Sequence, residues 1–140
     1  MLKQPKRVTY RKQAKLGALK GYGRARLQWG DFGRLATHPG RVTARQLEAA
    51  RRSIRAKMAR QGTLWIRVFP HRPVTAKPAE VRMGGGTGSV QYWAAMIKPG
   101  VTRFEIRGVP SAVAFAAFRS ASNKLPVSMR VRVRETRMTS

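Results

Sequence analysis

The stretch VRMGGGTGSV, Val81 to Val90, sets four glycines within five positions beside an arginine and a methionine, which raises the possibility of a phosphate-cradling loop. Such a loop needs G-x-x-x-x-G-K-[ST], because its lysine neutralises the terminal phosphates and its hydroxyl holds magnesium. Gly84-Gly85-Gly86-Thr87-Gly88-Ser89 has no such lysine and leads into strand-like sequence rather than a helix N-terminus. The dinucleotide fingerprint G-x-G-x-x-G fails as well, since Ser89 stands three positions after Gly86. Acid–base catalysis needs positioned carboxylates or histidines. Here Asp31, Glu48, Glu80, Glu105 and Glu135 are spread singly, most of them in places that suit ion pairs with neighbouring arginines. His38 precedes Pro39 and His71 lies between Pro70 and Pro73, with no carboxylate or cysteine at metal-ligand spacing. There is no G-x-S-x-G elbow for a serine nucleophile. The chain has no cysteine, which removes disulfides, zinc-thiolate sites and thiol chemistry. No enzyme, metal or cofactor is expected.

The remaining chemistry is that of charge. Thirty lysines and arginines face five acids, a formal net charge of +25, and the basic residues run from Lys3 to Arg137 instead of forming one tail. A globular protein so charged repels itself, so a polyanionic partner is implied over much of its surface, with nucleic acid the first candidate. No run of 18 apolar residues exists, and arginine-rich strands suit a membrane interface poorly, so no membrane partner is expected. The first thirty residues, free of acids, also have the composition of an organellar transit peptide, but Gly17, Gly21, Gly23 and Gly30 break any long amphipathic helix. A solvated or RNA-embedded arm accounts for them better.

The elements that must position these cations follow from periodicity. The 140 residues make one domain, able to bury roughly two-thirds of the surface its unfolded chain exposes. Residues 1–40 read as a basic extension with one short strand around Leu27 to Leu35, and residues 41–140 as the folded domain. Thr43-Ala44-Arg45-Gln46 is a capping box, after which Leu47, Ala50, Ile54 and Met58 recur at helical spacing up to a stop at Gly62. Arg45, Arg52 and Arg55 then point away from the apolar stripe, with only Glu48 as counter-charge. TLWIRVFP, Thr63 to Pro70, reads as a strand ended by proline, and residues 70–90 as a long glycine-rich loop. Folded back on itself such a loop reaches on the order of 30 Å. VQYWAAMI and VTRFEIRG, joined by the turn Lys98 to Gly100, look like a hairpin whose second strand is half-buried through Thr102, Phe104 and Ile106. A second helix is expected from Ala112 to Asn123, with Val113, Ala116, Ala117 and Phe118 in the core. The last strand alternates Val127, Met129, Val131 and Val133 with Ser128, Arg130, Arg132 and Arg134, and no acid follows before Glu135. The order gives a mixed α+β domain. Trp65 and Trp93 sit in apolar runs and belong to the core; Tyr10, Tyr22 and Trp29, flanked by cations, suit contact with bases or backbone.

LKQPKRVTYRK, GRVTARQLEAARRSIRAKMARQGTLWIRVFP, PVTAKPAEVRMGGGTGSVQYWAAMIKPG and FEIRGVP, followed by AFAAF and KLP, together resemble large-subunit ribosomal protein sixteen of bacteria and organelles, in order and over essentially the whole chain. The resemblance implies an α/β-hammerhead-like mixed sheet with two helices, and a protein that binds large-subunit rRNA at the base of the central protuberance near the aminoacyl-tRNA site. It implies that the arm threads among rRNA helices and that the long loop extends toward the peptidyl transferase centre with its tip near tRNA. It also implies late incorporation that shapes the tRNA cleft, without catalysis. Arg82, Met83, Gly84, Gly85, Gly86, Thr87 and Gly88 fall on that loop; Arg82 matches an arginine that some bacterial members hydroxylate. Gly85 and Thr87 stand where the family commonly has lysine, which takes two cations from the tip.

The expected rRNA contacts are Lys3, Lys6, Arg7, Arg11, Lys12, Arg24 and Arg26 in the arm, Arg41, Arg45, Arg52 and Arg55 on and before the first helix, and Arg130, Arg132 and Arg134 on the last strand. The expected partners are large-subunit rRNA, tRNA and neighbouring large-subunit proteins, with no homo-oligomer. The excess of arginine over lysine and the scarcity of acids favour a mitochondrial ribosome over a bacterial one. The rival readings are a free RNA-binding assembly factor or RNA chaperone of the same fold and, from another class, a basic enzyme acting on nucleic acid.

Overall fold

The computed structural model describes residues 3–13, 19–126 and 128–134. Gly17, Val127, Glu135 and Arg137 lie outside them. In chain order the elements are β1 (Phe32–Ala36), β2 (Gly40–Thr43), α1 (Ala44–Met58), β3 (Thr63–Ile66), β4 (Arg72–Ala76), β5 (Ser89–Ile97), β6 (Thr102–Arg107), α2 (Ser111–Ser122) and β7 (Met129–Val133). The class is α+β, as expected. In place of one mixed sheet there are two antiparallel sheets among the described residues, ordered β3-β6-β1-β7 and β2-β5-β4.

The capping box forms: Thr43 Oγ1 accepts the Gln46 N–H at 3.2 Å, and Gln46 Oε1 accepts the Thr43 N–H at 2.9 Å. Leu47, Ala50, Ile54 and Met58 are buried as the spacing predicts. The helix stops before Gly62, at Ala59, whose left-handed backbone caps it by bonding back to the Ala56 carbonyl. In α2 the buried residues are Ala114, Ala117, Phe118 and Ala121, while Ala116 faces out. The two helices pack together, Ser53 Oγ lying 2.5 Å from Ser120 Oγ. Apolar residues of both helices and both sheets form one core around Leu47, Ile54, Phe104, Ile106 and Phe118.

Several sequence expectations change. The strand sought between Leu27 and Leu35 is β1, and it is an inner strand of the four-stranded sheet, although the reading placed it in the extension. Gly40 to Thr43, across the expected boundary at 40/41 and with no strand expected, pairs with Ile97 to Ala94 as β2. β3 ends at Ile66, ahead of Pro70. The long loop contracts to 77–88, because Arg72–Ala76 forms β4 against β5. Pro73 is tolerated there because β4 is the edge of its sheet, where a missing N–H breaks no inner ladder. β5 and β6 do not pair; the turn at Lys98 to Gly100 passes the chain from one sheet to the other.

β6 is buried on both faces. One cause is a bulge: Arg34 of β1 faces Phe104, and the next residue, Leu35, faces Thr102, so Arg103 has no partner on β1 and leaves the period-two alternation. The other is residues 23–31, which lie along β6 as a strap. Gly23 donates to the Pro99 carbonyl at 2.6 Å, the Arg26 carbonyl accepts from Thr102 Oγ1 at 3.0 Å, and Asp31 donates to the Ile106 carbonyl at 2.9 Å. Gly30 is required by this close approach, since a Cβ there would come within 2.8 Å of Glu105 Cβ.

Candidate nucleic-acid interface

The strap carries the first basic surface. Glu105 of β6, fully buried, accepts the Gln28 N–H at 2.5 Å and the Trp29 N–H at 3.4 Å on Oε1. Its Oε2 lies 3.6 Å from Arg67 Nε, within ion-pair reach though beyond a hydrogen bond. Arg67 in turn donates to the Arg26 carbonyl at 3.0 Å and to Gln28 Oε1 at 2.9 Å, and its guanidinium stands 5.5 Å from the Trp29 ring. Arg134 closes the other side, donating from Nε to the Gly30 carbonyl at 3.0 Å. The result is a cleft of about 630 Å³ lined by Arg24, Arg26, Leu27, Gln28, Arg67, Arg132, Val133 and Arg134. Five arginines from three distant segments meet here with no carboxylate in the lining.

The second surface is α1. Arg51, Arg52, Arg55 and Arg60 border an open groove of about 540 Å³, and Arg45 is exposed on the first turn. Glu48 is committed: it binds Arg51 at 2.6 Å and Arg52 at 3.1 Å, so Arg52 is less free for phosphate than its position suggests. The Arg51 hydrogen bond, chiefly, holds the Glu48 carboxyl down at about 2 against burial that raises it. A depressed carboxylate contributes stability that is present above its unfolded value near 4.5 and is lost as pH falls toward 2. Glu48→Gln should therefore flatten the acid limb of a stability–pH curve between about 4.5 and 2. The difference should not exceed roughly 1 kcal/mol, since Arg52 is mostly exposed and solvent screens the pair. Urea melts at pH 6 and pH 3 read it.

The third surface is the hairpin loop. Lys77 at its base donates from Nζ to the Gly84 carbonyl, Gly84, Gly85 and Gly86 have φ of +93°, +77° and +89°, and Arg82 and Met83 are exposed. Space around the three glycines is open; their backbone angles are what an L side chain resists. Gly88 differs, since a Cβ there would sit 2.5 Å from the Ala76 carbonyl oxygen.

Of the sequence-derived residues, Arg24, Arg26, Arg132 and Arg134 are brought together in the cleft, and Arg52 and Arg55 along α1. Arg41 stacks on Tyr92, 5.7 Å from the ring centre, and Arg130 is exposed on β7 outside the cleft. Lys3, Lys6, Arg7, Arg11 and Lys12 are exposed along 3–13, where Gln13 accepts from Arg72 at 2.8 Å. Sequence reasoning missed Arg51, Arg60 and Arg67. Arg51 was legible as the residue one turn before Arg55. Arg67 was not, because its role depends on Trp29 and Glu105. Tyr10 and Tyr22 are exposed, while Trp29 packs on Trp65 with ring centres 6.2 Å apart. Trp93 is buried; Trp65 is half-buried.

Among the described residues no group of His, Cys, Asp or Glu is placed to hold a metal ion, and no helix is long and apolar enough to cross a membrane. Fold and surface thus define a small, basic α+β protein with arginine clusters in two separate clefts. Residues 5–132 match the family described as ribosomal protein L16p/L10e, and the chain belongs to that family. It is a ribosomal protein and not an enzyme. It is 57% identical over 134 residues to large ribosomal subunit protein uL16 of Cereibacter sphaeroides, covering 94% of this chain and 97% of that one. It is 55% identical over 130 residues to the uL16 protein of Erythrobacter litoralis and 53% over 130 to that of Rhizorhabdus wittichii, covering 91% of this chain and 90% of the relative in each case. These relatives are bacterial, which lends the mitochondrial preference no support.

Proposed function

We propose that this chain is a structural constituent of the large ribosomal subunit that binds large-subunit rRNA near the aminoacyl-tRNA site, with its hairpin loop directed to tRNA, in a bacterial cytoplasm. Family membership supports the ribosomal role. The observation that carries the RNA reading is the five-arginine cleft under the strap, whose lining offers fixed cations and no acid. Phosphate contacts of this kind position a protein on RNA without reading its sequence. The α1 groove and Arg130, none of which lines that cleft, supply further cations.

The test is stoichiometry. The protein should co-sediment with mature large subunits at about one copy each and stay through a high-salt wash. Substoichiometric recovery confined to precursor particles would instead mark a free assembly factor, and recovery with small subunits would end the reading.

The loop gives a separable expectation. Gly84→Ala, Gly85→Ala and Gly86→Ala combined force three L residues toward φ above zero, at roughly 1 kcal/mol each. Because nothing packs around them, the loop should change shape while the domain's melting temperature stays within about 2 °C. Docking on rRNA should persist and tRNA accommodation should slow; particles that translate normally would separate the loop from tRNA. Gly88→Ala is unsuited to this purpose, because it strikes the Ala76 carbonyl and disturbs the hairpin itself.

A further inference from the structure

Arg34 and Arg103 are buried, 6% and 0% exposed, on neighbouring inner strands of the four-stranded sheet. No carboxylate among the described residues forms an ion pair with either. Arg34 is partly provided for: it donates to the Phe118 carbonyl and to Ser122 Oγ near the end of α2. Its Nε, however, is directed to the Met129 sulfur at 3.0 Å, and Arg103 Nη1 approaches the same sulfur at 3.9 Å. Arg103 Nε and Nη2 are buried without any hydrogen-bond partner among the described residues.

Two guanidinium groups thus converge on one thioether, a weak acceptor that carries no charge. Uncompensated buried cations are strongly destabilising, and apolar residues of the same volume would fit such a site at less cost. Burial lowers both arginines to about 10, and for Arg103 the like charge of Arg34 adds to the effect. Both still remain charged at neutral pH. The bulge at Arg103 is what turns it toward Arg34 in place of the outer face. Met129 also lines a cleft of about 360 Å³, open to solvent, whose other walls are Arg34, Ser122, Leu125, Pro126 and Ser128.

We propose that this cleft, between the end of α2 and β7, is an oxyanion seat in which Arg34 and Arg103 bind one phosphate-type group that takes the place of the Met129 thioether. Met129 is half-buried on an edge strand, and its unbranched side chain can swing aside. The Ser128 hydroxyl in the lining is a further donor, while that of Ser122 is already given to the Phe118 carbonyl. The site lies apart from the strap cleft, from the α1 groove and from the loop, and it takes a single tetrahedral oxyanion whether that is a backbone phosphodiester or free phosphate.

Thermal unfolding of the full-length protein, titrated with sodium phosphate against sodium chloride at constant ionic strength, tests it. Phosphate should raise the midpoint by roughly 5 °C at saturation beyond any chloride effect. Arg103→Met should raise the midpoint in chloride and abolish the phosphate increment, and Arg34→Met should abolish it too. Lys57→Gln, a control at an exposed position of α1, should leave it intact. No phosphate-specific increment in the unaltered protein, or an increment that survives both buried substitutions, overturns the seat. Should Arg103→Met fail to fold, Met129→Ala empties the place of the anion and should lower the half-saturating phosphate concentration several-fold; an unchanged value counts against the proposal. Phosphorothioate interference on bound rRNA separates the sources. A backbone position whose interference disappears with Arg103→Met identifies a phosphodiester, and an increment without such a position identifies free phosphate.

Discussion

Glu105→Ala is expected to destabilise the protein by about 3 kcal/mol and to detach the strap from β6. The carboxylate is fully buried and is the acceptor for the Gln28 and Trp29 N–H groups and the counter-charge of Arg67. Alanine leaves those donors facing a void, and a buried donor without a partner costs its full desolvation. For a domain of this length the loss corresponds to a fall in melting temperature of roughly 10 °C. Glu105→Gln keeps an acceptor oxygen for the strap and gives up only the charge, so it should cost about 1 kcal/mol. Arg67→Met should do comparably, and the double variant Arg67→Met with Glu105→Gln should cost less than the sum, because the two share one ion pair. Denaturant midpoints give the energies, and amide exchange at Gln28 and Trp29 reports the strap directly. Unchanged protection of those amides in Glu105→Ala would show that the strap is held by its other contacts.

The strap also shows where the sequence was readable and where it was not. Thr43 and Gln46 lie three residues apart, so their mutual capping, and the helix it starts, follow from local pattern alone. The arginine face of β7 was equally local: Arg130 and Arg132 alternate with Met129 and Val131 and remain exposed. What failed required knowledge of a partner distant in the chain. The alternation of Thr102, Phe104 and Ile106 promised a half-buried strand, but the hidden second face depends on residues 23–31 folding over it and on a bulge opposite Arg34. Pro73 read as a loop marker because its tolerance depends on β4 being an edge, which only the sheet order reveals. Arginine 67 and Glu105, separated by 38 positions, gave no sign of meeting. Composition supplied the polyanionic partner, while the gathering of five arginines into one cleft came from the tertiary fold.

That gathering sets the second large expectation, which concerns salt. If the protein meets six to ten phosphates in all, its affinity for an rRNA fragment should fall by roughly 10³ to 10⁵ between 50 and 200 mM salt. The steepness counts contacts, so it can be apportioned. Replacing Arg24, Arg26 and Arg132 by glutamine should reduce the slope of log affinity against log salt by about 2 to 3, at 0.7 to 0.9 per phosphate lost. Arg67 and Arg134 are kept in this variant because they brace the strap, and their loss would mix unfolding with binding. Arg45→Gln with Arg55→Gln on α1 should remove a further 1 to 2, additively, because the two surfaces share no residue. Gly84→Ala at the loop should leave the slope untouched, since it carries no charge. A slope unchanged by the cleft substitutions, with the fold intact by melting, would mean that phosphates are met elsewhere on the surface and that the cleft serves only to hold the strap in place.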